Sequence, residues 1–135
     1  MNYLLDTHYI LWALFEPEKI SENVRVIFQS EEHRKCVSGV NLWEISLKYS
    51  LGKLEFENLN PEQIAEKIDE SGFVLLQVRN EDLLTYYQLP KKENHRDPFD
   101  RMLIWQAIKG GLTFISRDTK VEQYIENGLK VIVGT

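Results

Sequence analysis

The chain opens on Met1-Asn2-Tyr3-Leu4-Leu5-Asp6-Thr7, where Tyr3, Leu4 and Leu5 show no polar alternation and the run stops on a carboxylate. An unalternating apolar run of this kind predicts a strand buried on both faces, as in the middle of a parallel α/β sheet. Positions 8–15 are apolar almost all round (Tyr9, Ile10, Leu11, Trp12, Leu14, Phe15) until Pro17, which predicts a helix packed closely on that sheet. Ser21 starts a second helix, with Val24, Ile27 and Phe28 at helical spacing to about Glu31, and 35–38 reads as a second strand. Ser38 can cap the next helix, whose Val40, Trp43, Ile45, Leu47 and Leu51 continue until Gly52 stops it. A polar loop with Asn58 and Asn60 leads to Pro61, a good first-turn residue, and a helix carrying Ile64, Ala65 and Ile68 up to Gly72.

Positions 73–78 form the third predicted strand, and Asn80 begins a helix through Leu83, Leu84, Tyr86 and Tyr87 that Pro90 closes. The most basic loop, Lys91-Lys92-Glu93-Asn94-His95-Arg96, precedes Asp97-Pro98 and a helix over 99–109. Strand four is expected at 112–116, a last helix at 119–127 and strand five at 129–133. Strands alternating with helices imply βαβ units, and hence a parallel sheet covered by helices on both faces.

Composition narrows the class. With 135 residues, 43% of them hydrophobic, the chain suits one domain spanning 1–135. Lys plus Arg number 16 against 21 Asp plus Glu, for a net charge of −5, which disfavours a generic cationic nucleic-acid coat but allows a local basic stripe. The one cysteine, Cys36, can make no internal disulfide and sits in a short apolar stretch, so it reads as core. No stretch is long and apolar enough to cross a bilayer and no signal peptide is evident, so a cytoplasmic location with no membrane partner is expected.

The isolated acids fall in a pattern. Asp6 ends strand one, Glu44 lies in the helix after strand two, Asp97 and Asp100 open a helix, and Asp118 follows strand four. Each lies where the chain turns into a helix on the carboxyl rim of the sheet, so residues far apart in sequence can meet in one crevice. Local roles compete with this reading. Asp6 could cap the helix starting at Thr7. Glu44 could pair with Lys48 at i,i+4, although it sits between Trp43 and Ile45 in a mostly apolar segment. Asp97 is a natural N-cap before Pro98, with Asp100 where a capping-box acid would stand. Thr119 and Glu122 form a T-x-x-E box of their own, which leaves Asp118 spare.

Carboxylates brought together repel, and burying them unpaired is costly, so a cation is expected among them. No His or Cys joins them at ligand spacing, which disfavours zinc; an all-oxygen site suits Mg²⁺ or Mn²⁺. Acids holding a hard divalent ion, without a Gly-rich nucleotide loop, suit metal-assisted phosphodiester hydrolysis.

The motifs Leu4-Leu5-Asp6-Thr7-His8, Asn41-Leu42-Trp43-Glu44-Ile45-Ser46-Leu47-Lys48 with Leu51-Gly52-Lys53-Leu54, His95-Arg96-Asp97-Pro98-Phe99-Asp100-Arg101-Met102-Leu103-Ile104 and Ser116-Arg117-Asp118 occur in this order over essentially the whole chain. In this the sequence resembles PIN-domain ribonucleases of the VapC toxin type. The resemblance implies a three-layer α/β/α sandwich around a mainly parallel five-stranded sheet, with the family's acids on Asp6, Glu44, Asp100 and Asp118 as catalytic and metal-holding residues. It further implies Mg²⁺- or Mn²⁺-dependent endoribonuclease cleavage leaving a 5′-phosphate and a 3′-hydroxyl, a cognate antitoxin whose tail blocks the groove, and a homodimer. Trp105 stands where a small residue is common and Ser116 where Thr is common.

On this footing Thr7 and Ser116 are expected to hydrogen-bond metal waters or the scissile phosphate, with Asp97 in support. Lys48, Lys53, Lys91, Lys92, Arg96, Arg101 and Arg117 are candidates for RNA phosphate contacts, with Arg96 and Arg101 foremost. Trp12, Trp43 and Trp105 read as core or interface residues. The competing classes are a DNA nuclease, whose usual helical arches this length does not accommodate, and a catalytically silent PIN-like binding domain, which the four intact acids disfavour. A receiver or phosphatase is disfavoured because strand three ends Leu76-Gln77-Val78-Arg79 without an acceptor acid, and Asp6-Thr7-His8 lacks a second Asp two residues on.

Overall fold

The apolar run at the start of the chain forms β1 (Asn2–Leu5) and takes the middle of the sheet, with Leu4 and Leu5 fully enclosed. The computed structural model describes residues 1–54, 56 and 58–134. Its five strands, β1, β2 (Arg34–Ser38), β3 (Val74–Leu76), β4 (Thr113–Ser116) and β5 (Lys130–Val133), run in the order β3-β2-β1-β4-β5, every pair parallel. Registers such as Leu4 opposite both Cys36 and Phe114, and Leu5 opposite Ile115, align side chains of the same face across the sheet.

Alternate residues then build two cores. Leu4, Cys36 and Phe114 face α6 (Pro98–Gly110) and the 3₁₀ segment Thr119–Asn127, where Leu103, Val121 and Tyr124 close over them. Leu5, Val37 and Ile115 face α1 (Thr7–Phe15), α2 (Glu22–Gln29) and α4 (Pro61–Glu70), packing on Ile10, Val24 and Ile68. The result is the expected three-layer α/β/α sandwich, and Cys36 is core. Among the described residues no helix is long and apolar enough to cross a membrane.

α3 (Gly39–Ser50) follows β2, and Gly52, at φ 71°, takes the left-handed turn that releases the chain. The helix expected at 80–90 divides into α5 (Asn80–Thr85) and a 3₁₀ turn, Tyr86–Gln88, because Leu89 precedes Pro90 and is held extended, which tightens the last turn. The helix expected at 119–127 is 3₁₀ throughout, and a further 3₁₀ turn, Pro17–Lys19, follows α1.

The chain lays β1, β2 and β3 outward in one direction, then returns over one face to set β4 against the other side of β1. The strand order therefore reverses between β1 and β4. In an open parallel sheet the loops leaving two such strands diverge to opposite faces and open a crevice at their carboxyl ends. Asp6 leaves β1 there, and Arg117 and Asp118 leave β4 beside it.

Candidate active site

Asp6 is delivered by the sheet itself: its amide continues the ladder by donating to Ile115 O at 2.9 Å. The side chain is 3% exposed; Oδ1 accepts the Tyr9 amide at 2.9 Å, capping α1, and Oδ2 accepts the Arg117 amide at 3.3 Å. One carboxylate thus caps α1 and lines a cleft at the carboxyl end of β1. Burial, reinforced by the neighbouring charge of Asp100, pushes its pKa up to about 7 against the hydrogen bonds from Tyr9, Arg117 and Ser116, which favour the ion.

Asp100 comes from the first turn of α6, and Asp118 from the turn after β4. With Asp6, His8 and Arg117 they line a cleft of about 320 Å³ at the β1/β4 switch point. Among the described residues no Lys or Arg side chain reaches ion-pairing distance of Asp6, Asp100 or Asp118. Arg117, adjacent to Asp118 in sequence, instead places its guanidinium 3.1 Å from His8 Nε2 and over the Trp12 ring. Three neighbouring acids with no Lys or Arg side chain paired to them among the described residues form a donor set that a hard divalent cation fits.

Glu44, expected with these acids, does not line the cleft; it is 3% exposed. Its Oε1 accepts the Thr7 hydroxyl at 2.5 Å and its Oε2 pairs with Lys48 Nζ at 2.5 Å, so the helix pair read from the sequence is present, on a buried carboxylate. The Thr7 hydroxyl also accepts from Asn41 Nδ2 at 3.0 Å, which in turn donates to Leu5 O at 3.1 Å. With its proton and a lone pair so engaged, Thr7 orients Glu44, and the expected contact with metal waters or phosphate gives way to this role. Asn41 was not among the residues singled out from the sequence; its signal is an amide on the buried side of an amphipathic helix, three residues after the cap.

Three further expectations change in the same way. Asp118 is not spare: its Oδ1 accepts the Lys120 amide at 2.9 Å and caps the last segment, displacing the Thr119/Glu122 box, while Oδ2 is left for the cleft. Ser116 is buried and its Oγ receives the Asp118 amide at 3.1 Å, so it braces the two acids from within the protein. Asp97 is exposed and caps α6 through the Phe99 amide at 2.9 Å, ahead of Pro98, which accounts for it without any part in the cleft.

The cations divide. Arg101, foremost among the expected phosphate contacts with Arg96, is 7% exposed, and its guanidinium is consumed by Tyr86 Oη, Leu89 O, Pro90 O and Tyr124 Oη at 2.8–3.1 Å. It locks the basic loop onto α6 and is unavailable to a ligand. Arg96 is exposed and lines a groove of about 620 Å³ with Lys91, Lys92, Tyr86 and Tyr87. On the other flank Lys48 and Lys53 line a smaller hollow of about 310 Å³ that shares His8 with the acidic cleft. Trp105 is core, donating to Thr85 Oγ1, whereas Trp43 is 63% exposed and edge-on to Phe99.

His95 is the second residue that the sequence did not bring forward. The expectation that no histidine joins the acids is overturned: one ligand atom each from His95, Asp100 and Asp118 lie within 4.8 Å of one another, and His95 Nε2 is 3.7 Å from Asp100 Oδ2.

Comparison with known proteins bears on the family and the fold. The family model described as PIN domain matches residues 3–126. A chain of VapBC2 from Rickettsia felis, solved bound to a DNA fragment from the pair's promoter, superposes with a TM-score of 0.71 at 18% identity, covering 100% of both chains. A chain of DNA-bound VapBC from Salmonella typhimurium gives 0.68 at 20% identity, and one of VapBC-1 from nontypeable Haemophilus influenzae 0.66 at 22%, each covering 98% of both chains. A search of curated proteins by sequence gave no match.

Proposed function

The chain belongs to the PIN domain family, and on that premise we propose that it is a Mg²⁺- or Mn²⁺-dependent endoribonuclease acting as the toxin of a toxin–antitoxin pair. PIN domains are typically metal-dependent nucleases. The observation that carries the reading is the set of three carboxylates, Asp6, Asp100 and Asp118, gathered at the switch point with no Lys or Arg side chain at ion-pairing distance among the described residues. Asp6, Asp100 and Asp118 would hold the ion, with Glu44 reaching it through water. A divalent ion in such a site supplies a more acidic water and compensates the charge growing on the phosphate.

The remaining chemistry falls to the protein. Thr7 and Lys48 fix the two oxygens of Glu44, and Ser116 with the Arg117 amide holds Asp6. The exposed guanidinium of Arg117, at the mouth of the cleft, is placed to take a phosphate oxygen. Arg96 and Lys91 on one flank and Lys48 and Lys53 on the other give an RNA backbone basic ground on both sides of the acids. Products would carry a 5′-phosphate and a 3′-hydroxyl. Fold similarity to chains of VapBC complexes over their whole length supports a cognate antitoxin laid in the groove, and in keeping with that family a homodimer in the cytoplasm.

The test is cleavage of matched RNA and DNA by the purified protein. RNA alone should be cut, only with Mg²⁺ or Mn²⁺, and neither after chelation nor by Asp100→Asn. Cutting that survives chelation, or DNA cut in preference to RNA, refutes the assignment. Co-purification of a small protein encoded next to the gene tests the toxin role separately, since free active enzyme alone would count against the pairing and spare the nuclease.

A further inference from the structure

His95 sits at the end of the basic loop, where its amide closes a bridge to Lys92 O at 3.3 Å and its ring turns inward to 4% exposure. The ring is held from behind. Nδ1 lies 2.8 Å from Tyr124 Oη, the two rings meet edge to face, and the same Oη receives Arg101 Nη1 at 2.8 Å. Arg101 also grips Leu89 O and Pro90 O, so one buried guanidinium fixes both the loop and the tyrosine that orients the imidazole.

Nε2, at the front of the ring, is buried and has no hydrogen-bond partner among the described residues. Asp100 Oδ2, at 3.7 Å, lies beyond hydrogen-bond reach. Buried polar atoms left unsatisfied are rare, and one facing two carboxylates asks what would fill the gap. Six-coordinate divalent ions with ligands at about 2.1 Å set adjacent donors about 3 Å apart and opposite donors about 4.2 Å apart. His95 Nε2 lies 3.7 Å from Asp100 Oδ2, inside that range, and one ligand atom from each of His95, Asp100 and Asp118 falls within 4.8 Å of the others. The arrangement behind the ring is the one found behind metal-bound imidazoles, in which the second nitrogen is tied to an oxygen that fixes tautomer and direction.

We propose that His95 Nε2 is a ligand of the divalent ion, together with Asp100 and Asp118. The inference rests on the metal-dependent reading above and adds a nitrogen to what the acids alone would make an all-oxygen site. Neutral imidazole favours Mn²⁺ over Mg²⁺, which takes oxygen and keeps its waters. Nδ1–H is then donated to Tyr124 Oη, whose lone pairs accept from His95 and Arg101 together.

Pulsed electron paramagnetic resonance on the Mn²⁺-loaded protein reads the ligand directly, through coupling of the metal spin to a coordinated ¹⁴N. The chain has three histidines, and His33 packs on Tyr3 at the opposite rim of the sheet. In His8→Gln the cleft therefore retains His95 as its one imidazole, and the nitrogen coupling should persist. His95→Gln should lose it, with Mn²⁺ affinity falling by about tenfold or more and Mg²⁺ affinity changing little. Tight Mn²⁺ binding with no coordinated nitrogen in the parent overturns the inference and leaves the metal-dependent reading standing; coupling that disappears in His8→Gln overturns it in favour of His8. Failure of the parent to bind Mn²⁺ at all removes both. Should His95→Gln not fold, the His8→Gln spectrum decides alone.

Discussion

Removing the negative charge of Asp6 should make the metal-free protein more stable while abolishing its cleavage. Folded, the carboxyl titrates at about 7 instead of 3.8, chiefly because it is buried. Below pH 4 both folded and unfolded chains carry the proton and nothing is lost. As pH rises the unfolded chain releases its proton first, so stability falls through the interval from about 4 to 7 and is then level. A raise of about three units at roughly 1.4 kcal/mol each is a deficit of about 4 kcal/mol at pH 8. Asn is as good an N-cap as Asp, so the bond from the Tyr9 amide survives in Asp6→Asn. The amide nitrogen would meet the Arg117 N–H, forfeiting about 1 kcal/mol.

The net expectation is a gain of about 3 kcal/mol at pH 8, a rise in Tm of about 10 °C for a domain of this size. Thermal or urea unfolding of both proteins with EDTA, from pH 4 to pH 8, measures it. The difference should grow from near zero at pH 4 to its plateau by pH 8. Saturating Mn²⁺ should stabilise the parent by about 3 kcal/mol at a hundred times its Kd, and the variant hardly at all. An Asp6→Asn protein that is equally or less stable at pH 8, or a difference that does not change with pH, refutes the argument that the site carries uncompensated buried charge.

Arg101→Ala should cost about 3 kcal/mol or more, since it strands Leu89 O and Pro90 O and unties Tyr124, and urea denaturation checks this; an unaffected midpoint with weakened RNA binding would restore Arg101 to the substrate contacts. Asp97→Asn should retain cleavage and stability, whereas Asp97→Ala should lose about 1 kcal/mol through the cap; loss of cleavage in the Asn variant at full stability would place Asp97 in the chemistry. Arg117→Ala should leave the fold intact and reduce the slope of log K against log salt for RNA binding by about 1, measured by fluorescence anisotropy across a salt series; an unchanged slope would remove it from the phosphate contacts.

The part of this protein written locally is the part the sequence discloses. A buried strand must lack alternation and an acid just beyond it must fall on the rim, so the order of elements, the parallel sheet and the approach of Asp6, Asp100 and Asp118 to one cleft are legible in the pattern, whereas Glu44, expected with them, is outside the lining of that cleft. Helix ends were less legible: Thr119 and Glu122 spell a capping box, yet β4 ends at Ser116 and Asp118 takes the cap first. What pattern does not hold is the choice of partner across the fold. Arg101 reads as one more charge in the first turns of a helix, because the carbonyls of Leu89 and Pro90 and the hydroxyl of Tyr124 are brought to it only when the return loop crosses α6. His95 is hidden by the same cause, its orienting oxygen lying 29 positions away. Both missing assignments meet at Tyr124 Oη, and that convergence gives the basic loop a second purpose. Lys91 and Arg96 can face a polyanion while His95, which lies between them in sequence, is turned toward the acids, because Arg101 and Tyr124 hold the loop's inner side rigid. A loop fixed this way couples the ground where RNA would lie to the place where the ion would sit.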